Sequence, residues 1–222
     1  PGNVPPLTRL LVAYVAHGGR ELVLPKLESV LGVFQKLLVR GATDPHACRL
    51  LSAVWCAFAL AELERFVTPI FDLCIRRAST YKKVGTSLVG TWSVFVARYG
   101  AVAFRARLEA LQAGLSSMAM RGLWSEYAGF CAGATLRKTV IISTARLLSE
   151  VPELLDDAET AGALLLAAMR MLEADAGIGD AEVALDEAKA PQRAQADASA
   201  KLLASTADTS RAPGGNEALL RH

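Results

Sequence analysis

The sequence predicts an all-α protein, an α-solenoid of about five helical hairpins followed by a less ordered acidic C-terminal segment. Three observations carry this. Apolar residues recur at helical spacing, as in Leu27, Val30, Leu31, Phe34, Leu37 and Leu38, which share one helix face. The same rhythm returns segment after segment, whereas no stretch alternates with period two for long enough to make a strand. Helix pairs begin near residues 7, 45, 81, 115 and 159, at intervals of 38, 36, 34 and 44 residues. Helical-hairpin repeats run to roughly 34–47 residues, and these intervals are closest to HEAT and armadillo arrays. The W…LG…Y pattern of tetratricopeptide repeats is absent.

The helices fall at about 7–17, 25–40, 45–59, 62–78, 81–99, 102–112, 115–131, 136–151 and 159–174. Pro5-Pro6 precede the first, and Gly18-Gly19 end it. Gly41 closes the second. Asp44-Pro45 reads as an N-cap followed by proline at the first helical position. The third helix turns Leu51, Val54, Trp55 and Phe58 to one face. The fourth does the same with Leu63, Phe66, Val67, Ile70 and Cys74, and Pro69 within it should kink or break it. The fifth carries Leu88, Trp92, Phe95, Val96 and Tyr99 and stops at Gly100. The eighth carries Val140, Thr144, Leu147, Leu148 and Val151. Asp156-Asp157 read as a helix start, where acids complement the helix dipole.

At 52% hydrophobic and 6% aromatic residues, the chain has mass for a large core, expected to be built from Leu, Val and Ala. The longest uncharged runs, Val84 to Ala97 and Leu50 to Ala61, fall short of the roughly 18–20 residues of a spanning helix. They read as core helices, and no membrane span is expected. The opening Pro-Gly-Asn has no Met, basic region or cleavage site before it, as expected of a piece of a longer protein. Residues 1–173 read as the helical array. Residues 174–222 read as an acidic Ala-rich linker over 174–190, one short helix over 192–206 and a flexible tail.

Catalytic chemistry is not expected. No phosphate-binding glycine loop, nucleophile elbow or H-E-x-x-H pattern occurs. Cys48, Cys56, Cys74 and Cys131 each lie within an apolar helical pattern and form no C-x-x-C pair, so buried free thiols are expected. No His/Cys/Asp cluster has metal-ligand spacing, and neither a metal nor a cofactor is expected. The net charge of +2 conceals a balance of +9 in residues 1–150 and −7 in residues 151–222. The basic part suits an acidic protein partner. Nucleic acid is not expected as a partner, because interleaved aromatics and known modules are missing. The candidate partner-binding residues are Arg76, Arg77, Lys82 and Lys83, which straddle the turn between the fourth and fifth helices. Arg98, Arg105 and Arg107 gather near the next turn, and Arg137 and Lys138 near a later one.

The wording of the helices carries a further signal. Asn3 to Leu11, the run Leu31-Gly32-Val33-Phe34-Gln35-Lys36-Leu37 and Leu50-Leu51-Ser52 resemble consecutive C-terminal helices of export receptors in the importin-β (karyopherin-β) family. Lys83 with Phe95 to Ala101 looks like the next hairpin, and Arg137-Lys138 with Thr144 to Pro152 like a later one. The resemblance runs in order through about residues 3–172, strongest over 3–51 and weak beyond 173. It implies a HEAT-repeat nuclear export receptor, not an enzyme. Such a receptor carries importin-α from nucleus to cytoplasm together with Ran-GTP, passing through the nuclear pore. The alternatives are another karyopherin or a HEAT scaffold outside transport.

Overall fold

The computed structural model describes residues 2–173; the expected linker, short helix and tail of 174–222 lie outside the described residues. The helices are α1 (Val4–His17), α2 (Arg20–Val23), α3 (Leu27–Leu37), α4 (Asp44–Ala57), α5 (Leu60–Thr80), α6 (Gly85–Tyr99), α7 (Ala101–Leu111), α8 (Leu115–Ala119), α9 (Ser125–Tyr127), α10 (Ala134–Glu150) and α11 (Glu153–Asp156). Residues 158–173 are helical as well. Short 3₁₀ turns lead into α3 and α6, and a π-helical turn, Met120–Trp124, joins α8 to α9 without a break. Among the described residues there is no strand, and no helix is long and apolar enough to cross a membrane.

The helices form two rows. In the first, α1, α4, α6 and α10 each lie along the next; in the second, α5 packs against α7. Helix α3 packs onto α4 and meets α5 across a cleft. The expected apolar faces are the buried ones: Leu27, Val30, Phe34, Val54, Trp55, Val67, Leu88, Phe95 and Leu147 are each at most 4% exposed. Aromatics contribute more to this core than their number suggests. Trp55, Trp92 and Trp124 are all buried. A chain of ring contacts runs Trp55–Phe95–Phe71–Phe104–Trp124, with centroids 5.1 to 5.9 Å apart.

Four expectations are corrected. The expected repeat starting near 115 does not take the next place in the first row. Helix α10 does, packing along α6, while the α8–α9 segment packs against α7 and α6. The reason is visible in α6: Gly90 leaves room for Leu136, and Ser93 presents its carbonyl to the Ser143 hydroxyl at 2.7 Å, so small residues let α6 and α10 approach closely. Pro69 does not break α5, which continues through it. It sits on the exposed face, where water can satisfy the carbonyl one turn back. Asp44 is the first residue of α4 and not its N-cap; its carboxylate is engaged elsewhere, as described below. Cys56 is exposed. The other three thiols are buried, and burial pushes Cys48 up to about 12 and Cys131 up to about 11, leaving them protonated at neutral pH.

Several helix ends are closed by side chains from another helix. The Tyr99 hydroxyl lies 2.7 and 2.9 Å from the carbonyls of Trp55 and Phe58, closing the C-terminus of α4. Arg146 of α10 donates from Nη1 to the Val96 and Ala97 carbonyls at 2.9 and 2.8 Å, closing α6. Its neighbour one turn on, Glu150, accepts the Ala101 N–H at 2.8 Å at the start of α7. Between them Gly100 turns the corner at φ 97°, a left-handed conformation that favours glycine. Asp157 caps the helix of 158–173 by accepting from the Thr160 N–H and hydroxyl.

The Glu150 carboxylate is therefore held below its ordinary range, first by Arg146 and then by the Ala101 N–H. A depressed folded-state value stabilises the fold fully above the unfolded glutamate's pKa of 4.5, and that contribution is lost as pH falls through the folded value. Glu150→Gln should lower the melting temperature at pH 7 and flatten its fall between about pH 5 and pH 3. Parallel melting curves for the two proteins across that window would show that the carboxylate carries no such linkage.

Candidate partner-binding surface

The candidate residues gather where α5 ends and α6 begins. Helix α5 stops at Thr80, Tyr81 is extended, and Lys82–Val84 form a 3₁₀ turn. Val84 is buried, which directs Lys82 and Lys83 outward, and both are exposed. Among the described residues neither takes part in an ion pair. Arg76, on the last turns of α5, is also exposed. Its guanidinium pairs with Asp72 one turn earlier, at 2.9 Å, a surface pair worth little.

Arg77 differs. It reaches across to the start of α4, where Nε lies 3.2 and 3.1 Å from the two Asp44 carboxylate oxygens and Nη2 lies 2.8 Å from Oδ2. Asp44 is 1% exposed. The Arg77 guanidinium also lies 4.7 Å from the Tyr81 ring centroid, a cation–π geometry. The Tyr81 ring in turn covers Gly41, where a Cβ would approach ring atoms to 2.6 Å. Arg77 is thus a brace between helices that fixes the corner, and the three remaining cations, Arg76, Lys82 and Lys83, are exposed. Spacing could not separate them, since Arg76 and Arg77 are adjacent and Asp44 lies 33 residues away.

The other expected basic clusters are largely neutralised. Arg105 pairs with Glu153 at 2.8 Å and Arg107 with Glu64 at 2.7 Å. Arg137 is 8% exposed. Arg98 and Lys138 remain exposed but lie apart on α6 and α10.

Two clefts flank the last turns of α5, and sequence reasoning did not foresee them. One, about 270 Å³, separates α5 from the end of α3 and is lined by Leu38, Val39, Leu73, Arg76 and Thr80. The other, about 380 Å³, separates α5 from the α8–α9 segment and has Lys82 in its wall. The corner is therefore a cationic ridge between two largely apolar hollows. It is suited to gripping a chain segment. Among the described residues no cluster of three or more His, Cys, Asp or Glu could hold a metal.

The family model described as CAS/CSE protein, C-terminus, matches residues 1–200. Exportin-2 of Pagrus major is 28% identical over 162 residues, covering 70% of this chain and 16% of its own length. Exportin-2 of Drosophila melanogaster is 29% identical over 157 residues, covering 69% and 16%. For Exportin-2 of Homo sapiens the figures are 26% over 162 residues, 70% and 16%. The chain thus spans about one sixth of the length of these curated relatives. No solved structure gives a significant match. With residues 1–200 of 222 matched by one family model, this chain belongs to the CAS/CSE protein C-terminus family.

Proposed function

We propose that this array is part of a nuclear export receptor of the karyopherin type, which returns importin-α from nucleus to cytoplasm in a complex with Ran-GTP and shuttles through the nuclear pore. It acts by binding, not by catalysis. The observation that carries this reading is the family match over residues 1–200, joined to relatives named Exportin-2. Within the array, Arg76, Lys82 and Lys83 face an acidic partner, and Arg77 positions them through Asp44. Exposed charges of this kind speed encounter and fix register more than they add affinity.

The test is capture of importin-α by the intact receptor. Capture is expected with Ran loaded with GTP and not with Ran-GDP; equal capture in both states overturns the export reading. The triple variant Arg76→Glu, Lys82→Glu, Lys83→Glu should weaken assembly about tenfold at low salt and less at high salt. Unchanged assembly of that variant would remove the corner from the interface while leaving the export reading intact.

A further inference from the structure

The cleft between α5 and the α8–α9 segment is built more firmly than a chance surface hollow. One wall is the end of α5 and the turn after it, with Ile75, Ala78 and Lys82; the other holds Leu115, Met118 and Leu123. The second wall is pinned at several points. Glu109 accepts the Gly114 N–H at 2.8 Å and the Ser116 N–H at 3.1 Å, which fixes the start of α8. Trp124 is fully buried and its Nε1 donates to Thr144 at 2.9 Å. Arg121 pairs with Glu159 at 3.1 Å. Between these anchors the helix widens into the π turn Met120–Trp124, a distortion often found at functional positions.

The two walls differ in what they offer. Met118 is 55% exposed, an unbranched side chain able to follow the shape of what it meets. At Gly122 a Cβ would meet nothing within 4 Å, so the cleft is open there. Lys82 stands on the α5 side without an ion pair among the described residues, with Lys83 beside it. Glu126 stands on the opposite side. A bound segment is thereby oriented: an acid is favoured next to α5 and α6 and disfavoured next to α9. The volume of about 380 Å³ accommodates large apolar side chains and lies within the range of small binding pockets.

We infer that this cleft takes an apolar side chain from an acidic segment of the protein partner, with a neighbouring carboxylate of that segment against Lys82. This rests on the reading of the α5–α6 corner as a partner-binding surface, and it adds what the partner must present there. A cationic ridge alone would accept any acidic surface. The cleft requires an aspartate or glutamate within one or two residues of a leucine or phenylalanine.

The experiment uses the full 222-residue chain with its methionine methyl groups labelled with carbon-13. The probe is a synthetic peptide of sequence Asp-Asp-Leu-Phe-Ser-Ser, and its controls replace Leu-Phe by Ser-Ser or each Asp by Lys. The acidic apolar peptide should shift the Met118 methyl signal saturably. Both control peptides, and the variants Lys82→Glu and Met118→Glu, should bind about tenfold more weakly, Met118→Glu being followed by fluorescence anisotropy of a dye-labelled peptide because it removes the reporting methyl. Gly122→Leu fills the cleft at an open position and should have the same effect. Met118→Glu lies at an exposed position, so one blocking variant remains should Gly122→Leu fail to fold. Equal binding of the peptide without Leu-Phe, equal binding of the Lys peptide, or a Met118 signal that never moves would each overturn the inference. In the intact receptor, Ran-GTP-dependent capture of importin-α that survives Met118→Glu unchanged would overturn the cleft alone. Loss of Ran dependence in the unsubstituted receptor would overturn the export reading instead.

Discussion

Arg77→Ala should destabilise the array by about 3–5 kcal/mol, the usual cost of removing one partner from a buried ion pair. The size of the effect comes from what is left behind. The Asp44 carboxylate is 1% exposed and would lose three contacts between 2.8 and 3.2 Å. Water reaches it poorly, so the charge would stay buried and unpaired. Two further variants separate charge from packing. Arg77→Lys keeps the charge but not the planar fork that meets both oxygens, and should fall between wild type and alanine. The double variant Asp44→Asn, Arg77→Met removes both charges and should cost less than Arg77→Ala alone. Urea unfolding followed by circular dichroism measures all three. A loss under about 1 kcal/mol for Arg77→Ala would mean that the pair contributes no more than a surface pair. The same variant should weaken partner capture although Arg77 itself is covered, because Tyr81 and the turn carrying Lys82 rest on it.

Phe95→Ala should cost a similar amount, about 3–5 kcal/mol, for a different reason. Phe95 is fully buried. Its ring meets Trp55 and Phe71 at 5.1 Å and Tyr99 at 4.8 Å between centroids. These neighbours come from α4, α5 and α6 itself, and close helix packing leaves them little room to move into the vacancy. Phe34→Ala offers the informative comparison. Phe34 is 1% exposed, yet it lines the open cleft of about 400 Å³ between α3 and α5. Side chains there can relax and water can enter, so its loss should fall at the low end of the same range. Differential scanning calorimetry should rank Phe95→Ala below Phe34→Ala in melting temperature. The reverse order would show that the ring cluster is not the centre of the core.

Which helices exist, and which of their faces are buried, could be read from the chain because both follow from local spacing. Leu51, Val54, Trp55 and Phe58 declare their shared face without knowledge of a partner. What could not be read lies between helices distant in sequence. Asp44 looks like a helix cap, and only Arg77 arriving from 33 residues away turns it into half of a brace. The ends of α4, α6 and α7 carry few cap signals of their own because Tyr99, Arg146 and Glu150 supply their partners from elsewhere. The placement of α10 beside α6 was hidden for a similar reason. The α8–α9 segment has an ordinary helical pattern, and nothing in its spacing shows that it stands outside the first row. The basic cluster was legible as charge, but not which member of it was already committed.

The cleft between α3 and α5 has a mechanical consequence. On the other side of the array, α4, α6 and α10 are joined by buried hydrogen bonds such as Thr91 to Cys48 and Ser143 to Ser93, so relative sliding there would break them. Across the cleft, the one ion pair between the two helices among the described residues is Arg65 to Glu28, at 4.0 Å between exposed side chains, and it resists bending weakly. The joints are therefore unequally stiff: a load that flexes the chain is absorbed first where α3 swings against α5, while the block from α4 to α10 moves as one piece.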